Sequence, residues 1–411
     1  MNTSRRTFLK YSLASGSSIL SFPAFARDKW GESEGFPTGW GDAGKLQKWE
    51  GYPEYHVGNF TAGLEKMFLH KTIRAGQSPL PVKVNKRRIK ASLFMDATEY
   101  ANRYERMGLL IARQDEIWHE QYRFQRTPEM RFFGFSMTKS VVGLMTGIAL
   151  DQGKIESLDD RIDKYVDALR DHPFADITLR NLLNMTSGIN ICESFCTPEN
   201  GFERFGYSQI GYSPRRGQGT DQVKGIVEFR WGRSDPQGTR FNYTDLCPVL
   251  MAWVLESVYQ QPLATLTEQL LWQPLGAESD ATWLTDSKGF TFSAAGYSAT
   301  LRDWARLGML VANDGQAFGK QVVPKAWLDN TSNISEKDQA NRFGVARPGR
   351  GYKNFFWLQS GDGSILRMAG NHSQNILIYR KSKTVMVQVA PGYEYGADEI
   401  MLEMFQSACK A

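Results

Sequence analysis

The chain has 411 residues, of which 41% are hydrophobic and 23% charged. That is enough to bury a sizeable core as one large or two intimately joined domains. The net charge is +5, but Arg5, Arg6 and Lys10 all fall in the first 26 residues, which hold no acid. With no long Lys/Arg run elsewhere, the balance gives no case for nucleic-acid binding.

Residues 1–26 have the order of an export address rather than of structure. Ser4-Arg5-Arg6-Thr7-Phe8-Leu9-Lys10 has the form of a twin-arginine signal, a short apolar stretch follows, and Ala24-Phe25-Ala26 offers a small–x–small cleavage site. The expectation is a periplasmic or secreted protein that meets the twin-arginine export machinery transiently. No stable membrane insertion is expected, since the apolar stretch is too short and too rich in Ser and Gly to span a bilayer. In an oxidising compartment some of Cys192, Cys196, Cys247 and Cys409 could pair, a question that spacing alone leaves open.

Residues 27–84 read as an irregular N-terminal lead with one helix near Ala62–His70. The runs Gly108–Arg113 and Glu116–Tyr122, parted by Gln114-Asp115, predict a β-hairpin. From Ser136 to Gln152, apolar residues recur at helical spacing (Val141, Val142, Leu144, Met145, Ile148), and Gly153 is placed to close the helix. Further helical patterns cover Leu179–Met185, Asp245–Gln260 and Trp304–Asn313. Between Cys192 and Gly238 runs a long irregular stretch rich in Gly, Ser, Arg and aromatics. Strand-like runs then fill the tail: Phe355–Leu358, Ile365–Met368, Ile376–Tyr379 and Val385–Ala390. Strands at both ends and helices between them predict an α/β (α+β) sandwich. Its parts are 85–157 and 286–411, with 158–285 as a mostly helical insert carrying substrate-facing loops.

Ser136-Met137-Thr138-Lys139 is a Ser-x-x-Lys tetrad at the start of an apolar helix. Residues i and i+3 share a helix face, so the amine can sit beside the hydroxyl. A serine alcohol is a poor nucleophile until a neighbour takes its proton, which a Lys can do only when neutral. A Ser at a helix N-terminus also has unpaired main-chain N–H groups near it, suited to a developing oxyanion.

In this setting Ser136–Val141 resembles the nucleophile motif of the serine β-lactamase and penicillin-binding-protein superfamily. Gly153–Asp160, Ile177–Gly188, Arg302–Gly308 and Asn313-Asp314-Gly315 resemble segments that follow it in that family, in order. Within the superfamily the chain is most similar to the branch holding class C β-lactamases, family VIII esterases and 6-aminohexanoate-dimer hydrolases, the last group above all. The resemblance implies a β-lactamase/transpeptidase-like fold with an antiparallel sheet flanked by helices. It implies acyl transfer to water on a small-molecule amide or ester, with no metal or organic cofactor.

The family's Tyr-x-Asn motif corresponds to Tyr243-Thr244-Asp245, which makes Tyr243 an acid/base partner of Lys139. Asp245 departs from the pattern: a carboxylate cannot donate as an amide does. It could pair with Lys139 or cap the following helix. The family's Lys-Thr-Gly is absent. The equivalent stretch, Gly370-Asn371-His372-Ser373-Gln374, resembles a Gly-x-Gly-Gly-Gln form, with Asn371 or His372 at the Lys position and a main-chain N–H near Gln374 completing the oxyanion site. The cation that would hold a β-lactam carboxylate is then missing unless His372 is protonated. A β-lactamase or D-Ala-D-Ala carboxypeptidase, and a catalytically silent binding module of the same fold, are the alternatives. Of the other histidines, His119 reads as structural, and Asp159, Asp160 and Asp303 as capping or ion-pairing residues.

Overall fold

The computed structural model describes residues 56–189, 221–228 and 232–411. Residues 1–55 lie outside the described residues, as do Cys192, Cys196, Tyr207, Tyr212 and Trp231.

The hairpin strands Gly108–Arg113 and Glu116–Tyr122 pair antiparallel, with Gln114 at the turn in a left-handed conformation (φ 57°). They join the C-terminal strands in one eight-stranded sheet. Its spatial order is Gly351–Lys353, Phe356–Leu358, Ile365–Gly370, Gln374–Tyr379, Thr384–Val389, Gly108–Arg113, Glu116–Tyr122 and Lys83–Val84. Every pairing is antiparallel except the last, where Lys83–Val84 lies parallel to Glu116-Ile117.

The central strands are buried on both faces, so they read as apolar runs and not as alternation. Leu110, Ala112, Ile376, Ile378, Val385 and Val387 face the main core with Trp304 and Leu307. Their neighbours Leu109, Ile111, Leu377 and Met386 face the other way, against Met401, Met404 and Phe405 of the C-terminal helix Ala397–Lys410. Each such aliphatic side chain contributes about 1.5–3 kcal/mol of burial, which fixes strand register, since a one-residue slip would swap the two faces. A second sheet, in the order His70–Ile73, Ala281–Leu284, Tyr297–Thr300 and Arg131–Phe133, carries the N-terminal lead. The helix expected near Ala62–His70 is shorter, Gly63–Met67, because His70 already pairs with Leu284 as sheet.

Met137–Asp151 forms the buried helix between the main sheet and the helices of the 158–285 region, and Gly153 beyond its end takes φ 67°. It is hydrophobic nearly all round, as a helix enclosed on every side must be. Ser140 Oγ donates to Phe355 O (2.6 Å), and Thr138 Oγ1 accepts from Tyr297 N (3.1 Å), which ties the first turn to both sheets. Gly143 permits the closest approach: a Cβ there would lie 2.4 Å from the main-chain oxygen of Asn354. Asn354 cannot yield, because its side chain is held by Asn330 and Thr331. Gly143→Ala is therefore expected to destabilise the protein by about 1–3 kcal/mol in chemical denaturation, despite alanine's helix propensity advantage of about 1 kcal/mol.

Candidate active site

The strand Arg131–Phe133 delivers the chain to Gly134, where a Cβ would strike the Trp304 ring at 2.5 Å. Phe135 then takes φ 47°, a left-handed conformation that is strained for a bulky residue. That sharp corner sets Ser136 at the helix N-cap, partly exposed, while Lys139 one turn on is fully buried.

Lys139 Nζ lies 2.8 Å from Ser136 Oγ, 2.9 Å from Ala294 O and 2.5 Å from Asp245 Oδ1. These three neighbours satisfy either protonation state. An ammonium donates to all three; a neutral amine donates to Ala294 O and Asp245 and accepts the Ser136 proton. Asp245 precedes the helix Leu246–Tyr259 but makes no capping bond with its side chain. Of the two roles open to it, the structure places it against Lys139.

Tyr243 lies in an aromatic box, stacked on Trp357 (5.6 Å, 17°), edge-on to Tyr352 (5.8 Å) and near Phe241 (6.4 Å). Lys139 Nζ sits 4.9 Å from the centre of the Tyr243 ring. Ser136 and Tyr243 open on one cleft of 560 Å³, walled on the far side by Gly370, Asn371, Ser373 and Asn375. Gly370 touches the nucleophile corner closely: a Cβ there would lie 2.3 Å from Gly134 O and 3.1 Å from Ser136 N.

The turn Gly370–Gln374 corrects two expectations. Gln374 does not face the cleft. Its buried side chain donates to His372 O and Ala390 O and accepts from Ala390 N, and its own N–H is spent on Asn371 O. The N–H groups of Ser136 and Asn371 have no main-chain acceptor among the described residues. His372 is likewise behind the cleft, among the rings of His56 (4.7 Å), Phe60 (4.9 Å) and Phe135 (5.2 Å). Burial, then the neighbouring His56, pushes its pKa down to about 3, so the ring is neutral at physiological pH and supplies no cation. His372 (φ 56°) and Ser373 (φ 62°) both hold left-handed conformations, which is why glycines suit this turn and why two non-glycines here carry strain.

Sequence reasoning missed the cations that do line the cleft. Arg347, Arg350 and Arg367 all face it, with Glu394 and Asp398. Asp398 is taken up by Arg350 (2.9 Å) and Arg367 (2.6 Å). The one legible signal was Arg347-Pro348-Gly349-Arg350, a turn motif flanked by arginines. Elsewhere, Asp303 accepts from Glu278 N, Ser279 N and Thr300 Oγ1 and pairs with Arg306, Asp159 pairs with Arg180 and Lys337, and Asp160 pairs with Lys164. His119 is a hairpin residue whose pKa burial pushes down. Cys409 is a free thiol, and the buried Cys247 Sγ lies 3.4 Å from Ser187 Oγ.

A Ser–Lys pair at the N-terminus of a buried helix, under an antiparallel sheet with helices on both faces, defines the β-lactamase/transpeptidase-like class of fold. Residues 96–394 match the Beta-lactamase family, and the chain belongs to it as a serine hydrolase. It is 26% identical over 285 residues to the 6-aminohexanoate-dimer hydrolase of Paenarthrobacter ureafaciens, covering 69% of this chain and 72% of that one. A Bacillus anthracis protein described as a 6-aminohexanoate-dimer hydrolase superposes with a TM-score of 0.75 at 18% identity, over 87% of this chain and 95% of the other. A family VIII carboxylesterase superposes with a TM-score of 0.57 at 14% identity, over 74% and 91%. The two superpositions speak for the fold alone.

Proposed function

We propose that this protein hydrolyses an amide or ester bond of a small or linear substrate through an acyl-Ser136 intermediate. The observation that carries the reading is Ser136 Oγ held 2.8 Å from a buried Lys139 Nζ. Ser136 Oγ attacks the substrate carbonyl as its proton passes to the Lys139–Tyr243 pair. The oxyanion is held by the N–H groups of Ser136 and Asn371, which lack main-chain acceptors in the described structure. Collapse expels the amine or alcohol, which takes up the proton. Water then attacks the acyl-serine by the reverse proton path, releasing the acid and restoring Ser136.

A linear substrate is favoured over a β-lactam for two reasons. Asp245 stands where the family's motif has an amide donor, and His372 cannot serve as the strand cation. The relative from Paenarthrobacter, named for a dimer of a linear amino acid, points the same way. The twin-arginine leader adds a periplasmic or secreted location to the proposal. The test is turnover of p-nitrophenyl esters and linear anilides beside benzylpenicillin, with the acyl-enzyme trapped and weighed by intact mass. Faster turnover of the linear compounds is expected. Turnover of benzylpenicillin above both would move the assignment to a β-lactamase, and absence of any covalent adduct would remove the acyl-serine path.

A further inference from the structure

Far along the chain from the nucleophile, the strands Lys90–Ser92 and Met95-Asp96 form a small hairpin whose loop is Leu93-Phe94. Two-residue loops favour Gly, Asn and Asp, which suit the backbone of a tight turn. This loop holds two large apolar side chains instead, 89% and 93% exposed, so no described residue covers them. The loop stands on a firm stem. Ile89 and Ala91 share a buried cluster with Met401, Met404 and Phe405 of the C-terminal helix. On the far side, Asp96 and Glu99 form a reciprocal capping box that starts the helix Ala97–Arg103. A pair presented on such a stem has little freedom left to lose on burial.

The approach to the loop is basic. Lys83, Lys86, Arg87, Arg88 and Lys90 fall within eight residues, interleaved with Val84, Asn85 and Ile89. The segment is pinned to the edge of the main sheet by N–H bonds from Lys83, Asn85 and Arg87 to Asp115 O, Ile117 O and Trp118 O, and all five cations are exposed. Three are balanced: Lys83 by Asp115 (3.1 Å), Arg87 by Glu116 (3.3 Å) and Arg88 by Asp96 (3.1 Å). Lys86 and Lys90 form no ion pair among the described residues. The helix that follows adds Glu99 and Arg103, which offset each other, so the surplus is positive.

We infer that this hairpin is a peripheral anchor for an anionic phospholipid surface. Leu93 and Phe94 enter the boundary between headgroups and acyl chains, and Lys86 and Lys90 lie against the headgroups. Two side chains fall far short of the roughly 800 Å² per partner that a stable protein interface buries. A bilayer accepts a wedge of any size, and mobile headgroups need no fixed register with the lysines. No described helix is long and apolar enough to cross a membrane, so the attachment is interfacial and reversible. It stands apart from the acyl-Ser136 reading.

The test is co-sedimentation of the full chain with vesicles of phosphatidylcholine alone or of equimolar phosphatidylcholine and phosphatidylglycerol. The leader is common to parent and variants, so the comparison between them isolates the hairpin. The parent is expected to favour the anionic vesicles. Leu93→Ser with Phe94→Ser should lower its partition by about tenfold to a hundredfold. Lys86→Gln with Lys90→Gln should lower it about tenfold on anionic vesicles only, and added salt should remove that second effect. Hydrolytic activity and the thermal melt should match the parent in both variants. Equal partition of the parent and the double-serine variant would overturn the anchor. So would retention on heparin without vesicle binding, which would give the lysines to another polyanion. A dimer in sedimentation that the serines disperse would make the loop a contact between copies. A clear loss of thermal stability in the double-serine variant, with no vesicle binding by the parent, would place Leu93 and Phe94 under the chain's own residues, and either result rejects the lipid surface.

Discussion

Ser136→Ala is expected to abolish covalent labelling by a fluorophosphonate and to lower kcat by about ten-thousandfold or more. The magnitude follows from what the substitution removes. The cleft, Tyr243, Lys139 and the N–H groups of Ser136 and Asn371 all stay, so weak binding and oxyanion stabilisation persist, but the covalent path is lost. Water would have to attack directly, with a base positioned for a serine hydroxyl. The fold should be little affected. Ser136 is partly exposed, and its loss leaves Lys139 with Ala294 O and Asp245 as partners. Intact-protein mass after labelling and a thermal melt read the two halves of this expectation. A Ser136→Ala protein that still forms a single adduct would mean that another residue is the nucleophile.

Local pattern made much of the fold legible. The hairpin at Gln114-Asp115, the helix that Gly153 closes and the strands from Ile365 to Ala390 were set by periodicity and punctuation, which act over a few residues. The Ser-x-x-Lys pair was legible for the same reason: one helical turn spans it. What sequence could not place were contacts made across the chain. Ala294 O reaches Lys139 from 155 residues away, and Arg347 meets Tyr243 only because the Pro-Gly turn and the Leu246–Tyr259 helix converge on one cleft. The motif Gly370–Gln374 misled in a related way. Its residues were in the right turn, but side-chain direction there depends on two left-handed residues, His372 and Ser373, that turn Gln374 and His372 inward. Asp245 was ambiguous because a helix N-cap and a lysine partner need the same carboxylate; burial of Lys139 decided it, since a buried amine without a counter-charge is costly.

That pair gives the second large effect. Lys139→Met is expected to lower kcat about a hundredfold to ten-thousandfold, the range for loss of a general base. It should also destabilise the protein, because it leaves the Asp245 carboxylate facing an apolar side chain. Breaking a buried pair costs about 3–5 kcal/mol, and Asp245, with a side chain 16% exposed, belongs at the low end of that range. Lys139→Met combined with Asp245→Asn removes the carboxylate charge that Lys139 balanced, so it should recover stability in denaturant while activity stays low. This separates the chemical role of Lys139 from its structural one. Asp245→Asn alone then reports on the proton. The carboxylate 2.5 Å from Nζ favours the ammonium, whereas the amine takes the serine proton only when neutral. Removing the negative charge makes the neutral amine available at lower pH, so the rising limb of kcat/KM against pH should move down. A limb that stays in place in Asp245→Asn, with folding intact, would assign the serine proton to Tyr243 and leave Lys139 as an electrostatic partner of the nucleophile.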